Sequence, residues 1–283
     1  MRDHDTPVLT QDAGSVVRRV VRRRGQTALE LDDHIAEEVP VAFVYNDAPF
    51  AVMMATPADL ADFAQGFALS EGIVERIDDA QVESIEHLLE GVEVRVRIPA
   101  ARQHILLQRR RSMSGRSGCG VCGSELLEAA LRSPAPVGAG ITVTTAALKR
   151  ALQELRGLQP LNARTGATHA AGWADADGRV VLVREDVGRH NALDKLIGAM
   201  HRAGRDPQSG FLVVTSRASY EMAMKAASAG IGFMAAISAP TALALSLAQR
   251  TGLTLLGFAR DDGHAVYTHP WRFADAASEG TLP

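Results

Sequence analysis

The strongest constraint on how this chain can fold is a regular beat through its second half, where short apolar runs alternate with helical stretches. Residues 145–156 read as a helix with Leu148, Leu152 and Leu155 on one face. Residues 168–174 and 179–184 read as strands joined across Asp177-Gly178, a dipeptide suited to a tight hairpin turn. A helix over 187–200 carries Leu193, Leu196, Ile197 and Met200 at helical spacing. Then come a strand at 211–215, a helix at 220–229, a strand at 233–238 and a helix opened by Pro240 and ending near Gly252. A strand at 253–259 and a last one near 265–268 complete the series. This order predicts a three-layer α/β sandwich, parallel for most of its sheet.

The first half is less regular. Residues 16–24 (VVRRVVRRR) mix valine pairs with five arginines and read as an edge strand blunted by charge, in preference to an anion-facing patch. Residues 39–45 and 50–54 read as the two strands of a hairpin about Asn46-Asp47. Thr56 and Pro57 are suited to cap and open a helix, whose face would hold Leu60, Phe63, Ala64 and Phe67 before Gly72 ends it. Val92, Val94, Val96 and Ile98 alternate with charged residues, the pattern of a half-buried strand. Ser133-Pro134-Ala135-Pro136 breaks the chain. The expected organisation is a tail at 1–15, an α+β domain at 16–138, an α/β domain at 139–272 and a tail at 273–283.

Composition excludes several functions. A net charge of −3 over 283 residues argues against a dedicated nucleic-acid binder. No apolar run approaches the ~18 residues that would suggest a membrane span. Two cysteines do not make a disulfide framework, so a reducing cytoplasm is the expected setting.

Both cysteines lie in Ser117-Gly118-Cys119-Gly120-Val121-Cys122-Gly123. Arginines at 109, 110, 111 and 116 stand upstream, and a predicted helix at 124–131 puts Cys122 near a helix start. Cations and a helix N-terminus both favour the thiolate, which is the nucleophilic form. Taken alone, the C-x-x-C supports either a reactive sulfur or half of a zinc site. The zinc alternative would add two histidines from His87, His104, His169 and His190.

In sheets of the predicted kind, ligands bind beyond the carboxyl ends of the strands. Those ends here carry Glu185-Asp186-Val187-Gly188-Arg189-His190-Asn191, then Thr215-Ser216-Arg217-Ala218-Ser219, then Ser238-Ala239-Pro240-Thr241. The last carries Gly257-Phe258-Ala259-Arg260-Asp261-Asp262-Gly263. Each has a bland explanation. Asp186, Ser216 and Ser219 are suited to cap helices, His190 shares a stripe with Leu193 and Ile197, and Arg189 can pair with Asp186. The recurrence of Arg189, Arg217 and Arg260 at successive strand ends favours a phosphate-bearing ligand. Zinc deaminase chemistry is disfavoured: no glutamate lies two residues after His190, and 215–219 holds no cysteine.

These motifs, together with Thr165-Gly166-Ala167-Thr168-His169-Ala170-Ala171 and the run from Arg184 to Lys195, resemble the FdhD family of formate dehydrogenase accessory sulfurtransferases. The resemblance covers most of the chain from about Val39 onward. It implies a cytidine-deaminase-like fold and a homodimer. It also implies a sulfur carrier that takes persulfide sulfur from a cysteine desulfurase. The sulfur would pass to bis-molybdopterin guanine dinucleotide, the molybdenum cofactor, for formate dehydrogenase. Carried over, Cys119 matches the persulfide-bearing residue, with Cys122 as a supporting thiol. Phe258, Ala259, Arg260, Asp261, Asp262 and Gly263 match the cofactor-contacting segment, although Asp261-Asp262 is acidic. Arg189, His190, Ser216, Arg217 and Ser219 are the further expected cofactor contacts, and no resident metal is expected. The rivals are a zinc-binding structural protein, a molybdenum cofactor chaperone that transfers no sulfur and, more distantly, a nucleoside-type hydrolase.

Overall fold

The computed structural model describes residues 14–103, 106 and 134–274. The chain begins with β1 (Ser15–Arg24) and β2 (Thr27–Ala36), an antiparallel ribbon that forms a sheet of its own. The run 16–24 is thus a strand, and its partner β2 was hidden by the polar composition of TALELDDHIA. Arg19 reaches Glu30 and Asp32, and Arg22 reaches Asp33, so part of the arginine charge is answered across the ribbon.

A four-stranded sheet follows, built from β3 (Val39–Tyr45), β4 (Ala48–Ala55), β5 (Gln81–Leu88) and β6 (Gly91–Arg97) in the order β4-β3-β6-β5. Asn46 and Asp47 turn the β3–β4 hairpin with φ of 46° and 64°, a left-handed pair that Asn and Asp tolerate better than most residues. Between β4 and β5 runs α1 (Leu60–Ser70). It starts later than Thr56-Pro57 suggested: its N-cap is Asp59 at φ 54°, with no side-chain cap. Thr56 has another task. It is fully buried, its amide donates to Asp186 Oδ2 at 3.0 Å, and its hydroxyl accepts from the Val187 amide at 3.2 Å. The predicted apolar face of α1 packs as expected, with the Phe43 ring 5.0 Å from Phe63 and 4.9 Å from Phe67.

The second half comprises β7 (Val143–Thr144), α2 (Thr145–Gly157), α3 (Pro160–Thr165), β8 (His169–Asp175), β9 (Val180–Asp186) and α4 (Arg189–Arg202). It continues through β10 (Gly210–Val214), α5 (Tyr220–Ser228), β11 (Phe233–Ala236) and α6 (Ala242–Thr251). β12 (Thr254–Arg260), β13 (Gly263–Thr268) and β14 (Phe273–Ala274) end it, the last pairing with β7 and so extending order past the expected boundary at 272. The main sheet runs β13-β12-β11-β10-β8-β9.

One expectation is corrected here. Only β10–β11 and β11–β12 are parallel, while β12–β13, β10–β8 and β8–β9 are antiparallel, so the sheet is mixed. The cause lies in connection length. Tight turns at 176–179 and 261–262 force antiparallel neighbours, and only the helical crossovers through α5 and α6 can deliver parallel ones. Three layers are nonetheless present. Ala170, Phe211, Val213 and Ala235 face α2, whereas Ala171, Trp173, Leu212, Val214 and Met234 face α4, α5 and α6. The alternation along each strand is the period-two signature of a sheet buried on both sides.

The two halves meet through α1, which lies on α4. Asp62 of α1 binds Arg184 Nη2 at 2.7 Å and Arg202 Nη2 at 2.9 Å. At the other end of α1, the Ser70 hydroxyl donates to Asp194 Oδ1 at 2.6 Å, and Lys225 Nζ donates to Asp194 Oδ2 and to Glu71 Oε1, each at 2.8 Å.

Candidate functional site

The strand directions bring the carboxyl ends of β9, β10, β11 and β12 to one edge of the main sheet. Beyond β9, Asp186 is fully buried and works as an anchor. Its Oδ1 accepts from the Gly188 amide at 2.8 Å and from Asn191 Nδ2 at 2.9 Å, while Lys195 Nζ lies 2.7 Å from Oδ2. Asp186 therefore pairs with Lys195, not with Arg189. Glu185 is spent as well, accepting from the amides of Leu161 and Asn162 at the start of α3 and from the Thr168 hydroxyl. The acidic residues of this motif are taken up in internal bonds that set the shape of the loop, and Arg189 and His190 follow them at the start of α4.

Arg189 and His190 open α4 and are half-buried. Arg189 Nε has no hydrogen-bond partner among the described residues. His190 Nε2 stands 2.7 Å from Glu221 Oε2 in the first turn of α5, at ion-pair distance but outside hydrogen-bond alignment. Burial pushes the His190 imidazole below the ordinary histidine range, Glu221 opposes that shift, and Arg189 adds to it. His169, at the start of β8 on the same edge, is lowered by burial and then by Arg189. This end of the edge therefore presents the Arg189 guanidinium with two imidazoles biased to the neutral form, a set able to hold an anion by charge and by hydrogen bonds. Glu221 was missed in the sequence; its only signal was a carboxylate in the first turn of the helix that follows Ser219.

The hydroxyls beyond β10 divide. The Ser219 hydroxyl caps α5 by accepting from the Met222 amide, as its bland reading held. Ser216 is buried and its hydroxyl donates to the Arg217 carbonyl at 3.0 Å, whereas the Arg217 side chain is exposed. Thr241 caps α6. An Ala218–Pro240 bridge ties the loops after β10 and β11 together.

Beyond β12 the expected segment also divides. Ala259 turns into the core and offers no side-chain contact, while Phe258, Arg260, Asp261, Asp262 and Gly263 are exposed. Phe258 sits at φ 52°, where the β12–β13 register shifts, with its ring 47% exposed. A non-glycine residue in that conformation is strained, and such strain gathers at functional sites. The acidity of Asp261 is answered by Arg156 at 2.6 Å. Arg260, Asp261, Asp262, Gly263 and His264 line a cleft with Thr145 and Lys149 of α2. In the strand order, β12 is four places from β9, about 19 Å at the usual strand spacing. Arg189 and Arg260 thus occupy opposite reaches of one edge and do not converge on a point.

Cys119, Cys122, His104, the upstream arginines at 109–116 and the predicted helix at 124–131 lie outside the described residues. Of the remaining histidines proposed as zinc ligands, His87 is on β5 of the four-stranded sheet, apart from His169 and His190. Among the described residues no group of three His, Cys, Asp or Glu side chains is placed to hold a metal ion. No helix among them is long and apolar enough to cross a membrane.

A family model described as FdhD/NarQ family matches residues 36–274. Sulfur carrier protein FdhD of Xanthomonas euvesicatoria is 60% identical over 92% of this chain and 92% of its own length. The protein of that name from Cupriavidus necator is 53% identical over 90% of this chain and 88% of its own. Among solved structures, a candidate formate dehydrogenase accessory protein from Desulfotalea psychrophila superposes with a TM-score of 0.71 at 25% identity. It covers 92% of this chain and 100% of its own. A match of this extent, covering most of this chain and of its relatives, places the chain in the FdhD/NarQ family.

Proposed function

We propose that this protein is a sulfur carrier in the maturation of formate dehydrogenase. The observation that carries the reading is the 60% identity, over 92% of the chain, to proteins named sulfur carriers. The glycine-wrapped cysteine pair supports it, because a thiolate free of bulky neighbours can both accept and release sulfur. In the reading we favour, the Cys119 thiolate attacks the outer sulfur of a cysteine desulfurase persulfide. The S–S bond of the donor breaks, its cysteine leaves as a thiolate, and Cys119 becomes the persulfide. No net oxidation occurs. Cys122 assists, either by relaying the sulfur or by displacing it.

The acceptor in this reading is bis-molybdopterin guanine dinucleotide, bound as a substrate. The carboxyl edge supports it: helix N-termini, Arg189, Arg217 and Arg260 are spread along one line, as an elongated phosphate-bearing ligand requires. Phe258 and Gly263 would frame one end and His190 the other. We further read residues 139–272 as a cytidine-deaminase-like domain, the chain as a homodimer and its setting as the cytoplasm.

The deciding experiment incubates the reduced protein with cysteine desulfurase and labelled cysteine, then examines Cys119 by mass spectrometry. An added sulfur on Cys119, absent from Cys119→Ala, is expected. A Cys119 that never gains sulfur would sink the carrier reading. A Cys122→Ala variant that still supports full formate dehydrogenase activity would remove the relay role from Cys122.

A further inference from the structure

Two pairs of side chains meet between α4 and α5. His190 and Asp194 are four residues apart on α4, as Glu221 and Lys225 are on α5, and residues at that spacing lie on one helix face. They meet as two rungs: His190 Nε2 is 2.7 Å from Glu221 Oε2, and Asp194 Oδ2 is 2.8 Å from Lys225 Nζ. The Asp194–Lys225 rung is buried, and Ser70 and Glu71 at the end of α1 also bind the Lys225 ammonium. That rung ties the two helices together by charge. The His190–Glu221 rung, one turn away, lies at the carboxyl edge and reaches solvent.

The outer rung fixes where the ring carries its proton. A bare ring nitrogen and a carboxylate oxygen repel each other at 2.7 Å, so Nε2 is the protonated nitrogen. A neutral imidazole has one N–H, and here Glu221 faces it. Nδ1 is then an acceptor, which an anion repels. A second proton, on Nδ1, makes the ring a cation with a donor for a ligand. Burial opposes that second proton most strongly; Arg189 and Lys225 also oppose it, while Glu221 and Glu71 favour it. Asp194 is answered by Lys225, and Asp186 at the end of β9 by Lys195. His169 of β8 is held toward the neutral form by burial and by Arg189. Two cations thus stand against two carboxylates around His190, and burial decides for the neutral ring until a further anion arrives.

We propose that Glu221 is the positioning residue for His190: it holds Nε2, leaves Nδ1 as the ring atom for a ligand, and makes a phosphate-bearing ligand beside Arg189 bind with uptake of one proton from solvent. This rests on the carboxyl edge being the seat of such a ligand. The proton goes to Nδ1, and the ring gains one positive charge. Affinity should then fall by up to about tenfold per pH unit as pH rises between the titration of the free imidazole and that of the occupied one.

The probe is diguanosine diphosphate, a diester that lacks the second ionisation of a phosphate monoester near pH ~6, so the pH dependence belongs to the protein. Calorimetry of the full chain in two buffers of different ionisation enthalpy counts protons taken up by wild type, His190→Gln, His169→Gln and Glu221→Gln. NMR follows the His190 imidazole with and without the probe. Wild type is expected to take up about one proton within that interval, and His190→Gln to bind more weakly and lose the uptake. Glu221→Gln is expected to bind about fivefold more weakly near pH ~7, with its His190 imidazole titrating at lower pH. Uptake that survives His190→Gln but not His169→Gln would overturn the assignment, as would an unchanged imidazole titration in Glu221→Gln. If a variant does not fold, the wild-type ring decides: the probe must move its titration to higher pH, and no movement refutes the proposal. Binding without proton uptake would keep the edge as a phosphate seat and end the proposal. No binding at any pH would end both.

Discussion

Asp186 and Lys195 form an ion pair at 2.7 Å with both side chains wholly removed from solvent. Their partners differ in number. Without Lys195, Asp186 would keep three donors: the amides of Thr56 and Gly188 and Asn191 Nδ2. Without Asp186, Lys195 would keep, among the described residues, only the Thr56 carbonyl at 2.9 Å. Breaking a buried pair by removing one member costs about 3–5 kcal/mol. Lys195→Met is therefore expected at the low end and Asp186→Ala at or beyond the high end. Urea unfolding of the two variants checks the order; an equal cost would mean the extra donors count for nothing.

The crossing of α1 and α4 predicts a second pair of effects. A Cβ added to Gly66 would lie 1.8 Å from the Asp194 carbonyl oxygen, and one added to Gly198 would lie 2.0 Å from that of Asp62. Backbone cannot yield as a side-chain tip can, so Gly66→Ala and Gly198→Ala should each cost about 2–3 kcal/mol or more. Gly157, at the end of α2, meets nothing within 4 Å. There the same substitution should be neutral or stabilising by about 0.5 kcal/mol. Thermal or urea midpoints for the three variants test the contrast.

A pH dependence follows from Asp194. Burial raises its carboxyl from 3.8 to about 6, against the pull of Lys225 and Ser70. The folded protein then retains a proton that the unfolded chain has released. The stability from this group is full below about 3.8 and is lost as pH rises through about 6. Asp194→Asn should remove that component, so the difference in unfolding free energy between wild type and variant should shift by on the order of 2 kcal/mol across the window. Parallel urea titrations at several pH values read it directly, and a constant difference would refute it.

Phe258 separates stability from binding. Glycine relieves a positive φ and alanine does not, while both remove the ring. Phe258→Gly is expected to be about 1 kcal/mol more stable than Phe258→Ala. If the ring contacts the guanine dinucleotide, both variants should weaken binding of a guanine nucleotide alike, as calorimetry would report.

Much of this architecture was legible in the sequence, and the exceptions have physical causes. Strand β3 was readable as a continuous apolar run, and helices α2 and α4 by apolar residues at helical spacing. Strand β2 was not, because the apolar alternation of Leu29, Leu31 and Ile35 is broken by Asp33 and set among polar residues. The hairpin made β8 antiparallel to β9, but its insertion between β9 and β10 was lost, because alternation reports burial and says nothing of which further neighbour a strand joins. The start of α1 was misplaced because Thr56, an apt cap, is held by Asp186, 130 residues away. At the edge, Arg189 and His190 were legible as polar groups after a strand. The assignment of Asp186 and Glu185 to internal bonds was not, since it depends on where β4 and α3 come to rest.

The junction of α1 with α4 has a mechanical consequence. The helix that completes the first sheet's core is also locked to the second by two glycine contacts and, at either end, by the Asp62 and Asp194 ion networks. Prising the sheets apart would strand several charges in a dry interior at once. Among the described residues the two sheets are therefore coupled through one buried junction, so a change that loosens either face of α1 should be felt by both sheets.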